Sequence, residues 1–110
     1  MKKKLVKKQN KCYNLKGDTM EVVINDMRYE IIKDYKKGFE KEEVTSKLTD
    51  YFFPYDYILG DWAYNKLRLK GFCDKDNEIY NDINDISILD DYIKKNCAYD
   101  CRYFVMKKLK

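Results

Sequence analysis

The sequence predicts one α+β domain with its elements in the order ββ-α-ββ-α-β, a mixed or antiparallel sheet with two helices packed on it. Three observations predict this class. A chain of 110 residues has room for one domain. Five short stretches combine β-branched and aromatic residues with strand-like alternation. Two other stretches instead space their apolar residues as a helix does, and no internal repeat or Gly/Pro-rich linker divides residues 20–110.

Each element has its own local cause. Met20 to Ile24, Asn25-Asp26 and Met27 to Lys33 form a predicted hairpin. Val22, Val23, Ile24, Tyr29, Ile31 and Ile32 favour strand, and Asn-Asp tolerates the positive φ of a tight turn. Tyr35-Lys36-Lys37-Gly38 is a turn. Phe39 to Phe53 is predicted as one helix, because Phe39, Val44, Leu48, Tyr51 and Phe52 fall near one face. Glu40, Glu42 and Glu43 sit in its favourable first turns, and Pro54 closes it. Strands are predicted over Tyr55 to Leu59 and Lys66 to Phe72, joined through Gly60-Asp61-Trp62-Ala63-Tyr64-Asn65. In the second of these, Leu67 and Leu69 face one way while Arg68 and Lys70 face the other. Asp74 to Asp85 is a polar acidic loop. A helix then runs from about Ile86 to Asn96, capped by Asn84 or Asp85, with Ile86, Leu89, Tyr92 and Ile93 as its inward stripe. Cys101 to Lys107 is the last strand, with Tyr103, Val105 and Cys101 on one face.

Composition narrows the classes of function. Apolar residues make up 45% of the chain, enough for a core without a metal or disulfide staple. The longest apolar runs are a few residues, such as Tyr103 to Met106, too short for a membrane span or an export signal. A cytoplasmic location without membrane attachment is therefore the expectation. In a reducing compartment the four cysteines, Cys12, Cys73, Cys97 and Cys101, are expected as free thiols. The spacing of Cys97 and Cys101 is not that of a zinc knuckle. No cofactor or metal is expected. The net charge of +4 also misleads, because residues 1–17 hold seven lysines and residues 107–110 three more. The residues between them carry a net −6, so the basicity belongs to the ends. Lysine makes up 20 of the 23 basic residues, a bias that goes with an AT-rich coding sequence and weakens any inference to nucleic acid.

The candidate site is the loop between the two central strands. Trp62, the only tryptophan, is expected there with Asp61 and Tyr64, beside Arg68 and Lys70 on one strand face. Large amphipathic rings next to cations can anchor a protein partner or stack on bases. The opposing possibility is that Trp62 folds back onto the sheet and Arg68 pairs with Asp61. The acidic loop places Asp74, Asp76, Glu78, Asp82 and Asp85 at EF-hand positions 1, 3, 5, 9 and 12, but Ile79 stands where the loop requires glycine and Asp85 is too short for the final bidentate ligand. It is read as a solvated loop leading into a helix cap. Catalysis has thin support. There is no histidine, no phosphate-cradling loop and no nucleophile elbow. Asp56, Asp61 and Cys73 would carry chemistry only if a deep pocket gathered them. Eleven tyrosines keep RNA binding open through the same sheet face and the basic ends, though no RNA-recognition signature is present.

The run YDYILGDWAYNKLRLKGF, Tyr55 to Phe72, resembles the signature of the YutD-like family of uncharacterised bacterial proteins. YEIIKDYKKGF (Tyr29 to Phe39) and ISILDDYIKKNCAYDCRYFVMKK (Ile86 to Lys108) support the resemblance, which covers roughly residues 20–108. It implies a compact bacterial α+β domain and brings no activity, cofactor or catalytic residue. Glycine is usual in that family where this chain has Ala63, and frequent at Asn65, so the turn here is expected to differ slightly. The leading expectation for function is a non-enzymatic protein-binding adaptor or regulatory module using Asp61, Trp62, Tyr64, Arg68 and Lys70. RNA binding through that face is second, and a small carboxylate or thiol enzyme third.

Residues 1–19 are expected to be a disordered basic tail or an untranslated leader read as protein. Lys16-Gly17-Asp18-Thr19-Met20 back-translates with AT-biased codons to AAAGGAGATACAATG, which holds AAGGAG, a ribosome-binding sequence, just before a start codon. The family's pattern also begins near Met20. An intact-mass measurement on the native protein is expected to match a chain starting at Met20. A mass that includes residues 1–19 would exclude that start.

Overall fold

A computed structural model describes residues 20–96 and 101–109. Five strands, β1 (Met20–Ile24), β2 (Met27–Tyr35), β3 (Tyr57–Ala63), β4 (Lys66–Phe72) and β5 (Tyr103–Lys108), form one sheet in the order β1-β2-β5-β3-β4. Every strand pair is antiparallel. The helices are α1 (Lys41–Lys47) and α2 (Leu89–Asn96). The α+β class and element order stand as predicted. Residues 1–19, Cys12 among them, as well as Cys97 and Lys110, lie outside the described residues.

Strand alternation sends side chains to two separate cores. Tyr29, Ile31, Ile58, Leu67, Phe104 and Met106 face α1 and pack with its Val44 and the following Leu48. Leu59, Phe72 and Val105 face the other way, beneath Leu89, Tyr92 and Ile93 of α2. The helices therefore cover opposite faces. β2 serves both layers through a register shift between Ile31 and Lys33. A strand of strict alternation cannot turn adjacent Ile31 and Ile32 inward; the shift leaves Ile32 exposed and turns Lys33 and Tyr35 to the α2 side.

Several predicted boundaries are corrected: β2 runs on to Tyr35, β3 begins at Tyr57 rather than Tyr55, β5 begins at Tyr103 rather than Cys101, and three segments differ more. The helix expected over Phe39–Phe53 is two pieces, α1 and a 3-10 turn at Asp50–Phe52, separated by extended backbone at Leu48 and Thr49. The Asn25 side-chain amide donates to the Leu48 carbonyl at 2.6 Å and terminates α1 there. The phase of the apolar stripe is lost at that break, so Tyr51 points to solvent and Leu48 stays buried. The segment from Gly60 to Ala63 is strand, not loop, and a two-residue turn at Tyr64-Asn65 replaces the expected six-residue link. Gly60 lies within β3, and the end of the Phe104 ring fills the space where a side chain would stand. At the second helix, Asp85 is the cap, accepting from the Ser87 N–H at 2.9 Å, and the first turn is 3-10 before α2 begins at Leu89. The Tyr80 hydroxyl, donating to the same carboxylate at 2.7 Å, is the main cause that holds Asp85 below its ordinary pKa.

A Cβ on Gly60 would come within 2.2 Å of the Phe104 ring at the centre of the sheet. Gly60→Ala is therefore expected to lower stability by about 2 kcal/mol or more. The check is a urea titration, read as a lower midpoint at an unchanged slope.

Candidate functional site

The β3–β4 hairpin carries all five residues singled out by the sequence, but they do not converge. Its register pairs Asp61 with Arg68 and Trp62 with Leu67, so neighbours along each strand lie on opposite faces. Asp61, Arg68 and Lys70 lie on the α2 side. Trp62 packs on the α1 side, against that core. Tyr64 stands at the tip. The expected grouping of Asp61 with Trp62 and Tyr64 at one loop is thus replaced by a division among two faces and a turn.

On the α2 side the charged residues hold the helix in place. Asp61 is buried, and Arg68 Nη2 donates to its Oδ2 in an ion pair whose guanidinium stays half-exposed. The same nitrogen donates to the Asn96 carbonyl at 3.2 Å, supplying positive charge at the C-terminal end of α2, where the helix dipole favours it. Lys70 Nζ lies 5.2 Å from the Phe72 ring centroid and 5.4 Å from that of Tyr92, linking β4 to α2 by cation–π attraction. The pairing of Arg68 with Asp61 weighed from the sequence is the arrangement found.

The other candidate chemical groups are also engaged. Asp56 Oδ2 accepts from the Asp74 N–H at 2.9 Å and from the Asn77 side-chain amide at 3.0 Å, which organises the start of the acidic loop. Cys73 is fully buried, and burial pushes its thiol pKa up, away from a reactive thiolate. Asp61 lies with Arg68, apart from both. No group of three or more Asp, Glu or Cys among the described residues is placed to hold a metal ion.

Trp62 is not a loop anchor. Its Nε1–H donates to the Gly38 carbonyl at 2.7 Å, and the Arg102 guanidinium lies 4.0 Å from its ring centroid. Arg102 continues to Glu40 at 2.8 Å and to the Lys37 carbonyl at 3.2 Å. This Arg102–Trp62 stack was missed in the sequence, where its one signal was the scarcity of arginine. Tyr64 is 99% exposed, at φ 53°. A surface groove of mixed aromatic and polar lining, with Lys70, Asn81 and Asn84 among its residues, was also missed. Tyr51, Phe52, Tyr55, Leu69 and Ile83 also line this groove, of about 190 Å³, alongside β4. The Tyr55 ring lies across Gly71. Its hydroxyl meets that of Tyr51 at 3.3 Å, and that contact, together with burial, raises its pKa to about 12.

Fold and site together define a small single-sheet α+β domain whose β3–β4 turn carries an exposed tyrosine and whose described residues gather no metal-ligating group. The chain belongs to the YutD-like family, whose model, described as "Putative antitoxin YutD-like", matches residues 23–107. It is 39% identical over 89 residues to "Putative antitoxin YutD" of Bacillus subtilis (strain 168), covering 81% of this chain and 98% of that protein. The solution NMR structure of protein yutD from B. subtilis superposes with a TM-score of 0.69 at 37% identity, covering 89% of this chain and 88% of that one. No helix among the described residues is long and apolar enough to cross a membrane.

Arg68→Ala is expected to destabilise the domain by about 1–2 kcal/mol, since it leaves the buried Asp61 carboxylate unpaired, with the half-exposed guanidinium limiting the cost. Arg68→Lys should restore only part of that loss, because a shorter, strongly hydrated ammonium does not reproduce the position from which Arg68 Nη2 serves both Asp61 and Asn96. Paired urea titrations read both; an unchanged midpoint in Arg68→Ala would show that the pair does not hold α2.

Proposed function

We propose that this chain is a non-enzymatic protein-binding module, an antitoxin-type regulator that engages its partner through the β3–β4 hairpin. One observation carries the reading. Tyr64 occupies a left-handed backbone position at φ 53° while 99% exposed. A two-residue turn with positive φ at both positions favours Asn-Gly, and a bulky side chain there costs on the order of 1 kcal/mol. The fold recovers nothing for that cost, because the ring is not packed into either core. An exposed tyrosine presented at a tight turn is the kind of side chain that anchors interfaces. In this reading Tyr64 contacts the partner and Trp62 with Arg102 stiffens one side of the hairpin. Asp61, Arg68 and Lys70 stiffen the other and give it positive charge. The description of the family and of the B. subtilis relative as antitoxins supports a macromolecular partner, since an antitoxin works by neutralising something else.

RNA binding is the second reading, and a different patch favours it. The Tyr35 and Tyr103 rings stack at 5.3 Å, with Lys33 5.9 Å from the Tyr103 centroid and Lys36 5.7 Å from that of Tyr35. Aromatic rings interleaved with lysines suit a single-stranded backbone and its bases.

Tyr64→Ala separates the two. The variant should fold with stability within about 0.5 kcal/mol of the parent. In capture from cell lysate with the tagged full chain, a protein that is retained after nuclease treatment and lost in Tyr64→Ala is the expected result. Captured material that disappears with nuclease, and weakens steeply as salt rises, would replace this reading with the RNA one.

A further inference from the structure

We propose that the outer edge of β4 accepts an extended segment of the partner protein as a sixth strand, one that alternates acidic and apolar side chains. This deepens the protein-binding reading and rests on it. β4 closes the sheet on one side, and among the described residues only β3 pairs with it. Beyond Phe72 the edge is taken up, because the Cys73 N–H donates to the Asn84 carbonyl at 2.7 Å and the Cys73 carbonyl accepts from the Ile86 N–H at 3.0 Å. Between Lys66 and Gly71 the backbone groups that point away from β3 have no strand beside them among the described residues. An edge of this kind is a template for another chain.

The side chains flanking that edge define what fits. Lys66, Arg68 and Lys70 alternate along the α2 side of β4. Leu67 and Leu69 alternate along the other, where Leu69 continues into the groove lined by Tyr51, Tyr55 and Ile83. Ile83 is 72% exposed and Tyr51 63%, so these two side chains at the groove offer apolar contact that neither core uses, beside the polar Asn81 and Asn84. A strand laid against β4 would set one row of its side chains beside Lys66, Lys70 and the half-exposed guanidinium of the Arg68–Asp61 pair, and the other row beside Leu69, Tyr51 and Ile83. A second copy of the chain is a poor occupant. Antiparallel pairing of β4 with itself about Arg68 brings Arg68 against Arg68 and Lys66 against Lys70, all like charges. The same lysines discourage neutral or basic strands, so charge selects an acidic one. The site starts immediately after the Tyr64-Asn65 turn, which places the edge and the exposed tyrosine within reach of one partner.

The test is a titration of the full chain, followed by backbone amide NMR, with a short blocked peptide alternating glutamate and valine. A matched peptide alternating lysine and valine is the control. The expected result is shifts concentrated at residues 66–71 with the acidic peptide and affinity weaker by about fivefold or more for the basic one. Lys66→Glu, a change at an exposed position, should weaken the acidic peptide by a similar factor without altering the unfolding midpoint. Equal binding of both peptides, shifts centred elsewhere or no binding would overturn the proposal. In lysate capture, Lys66→Glu should also lose the protein partner. If it keeps that partner while Tyr64→Ala loses it, the edge site is wrong and the protein-binding reading stands. If no protein is captured at all, the reading itself falls.

Discussion

The last strand of the chain occupies the middle of the sheet, and the rest of the structure depends on that insertion. β5 pairs with β2 on one side and β3 on the other. Its three buried residues divide between the layers. Phe104 and Met106 enter the α1 core, and Val105 enters the α2 core. Neither core closes without it. Within the sheet this strand joins the N-terminal hairpin to the central hairpin, so the domain's long-range contacts form late in sequence terms and cost loop-closure entropy that the two cores must offset. Gly60 shows how tightly the insertion is fitted, since the Phe104 ring occupies the volume its side chain would need.

The same alternation that serves the core divides the labour of the β3–β4 hairpin. Trp62 and Leu67 are directed to one layer, and Asp61 and Arg68 to the other. What looks in sequence like a cluster of chemically interesting residues is therefore a set of fasteners on two faces, with the Arg68 guanidinium bridging Asp61 to the end of α2 and Arg102 closing over Trp62. Only the turn escapes this use. Among the described residues, Tyr64 and the outer edge of β4 are surfaces that neither core uses.

The local period of the chain was the legible part. Alternation located Lys66–Phe72 to the residue, and the turn residues Asn25 and Asp26 located the first hairpin. The aspartate cap placed the start of the second helical segment. What could not be read depended on distant partners. Phe39–Phe53 has helical spacing throughout, and the break at Leu48 comes from Asn25, far away in sequence. Gly60 reads as a turn residue until the Phe104 ring is known to lie above it. The candidate hairpin was legible in its residues and not in their arrangement. Asp61, Trp62, Tyr64, Arg68 and Lys70 all lie on one hairpin, as expected, yet a single added stretch of strand decides that they point in different directions. Arg102 and the groove at Tyr51, Tyr55 and Ile83 were invisible because each is assembled from segments that meet only in the fold.

The insertion of β5 is tested most directly by native-state hydrogen exchange across a denaturant series. The amides of residues 103–108, with their partners on β2 and β3, should exchange only through global unfolding, with a free energy equal to that of the whole domain. Those of the edge strands should open more easily. If β5 amides instead exchanged through local opening at lower cost than β1 or β4, the strand would not be the element on which both cores close.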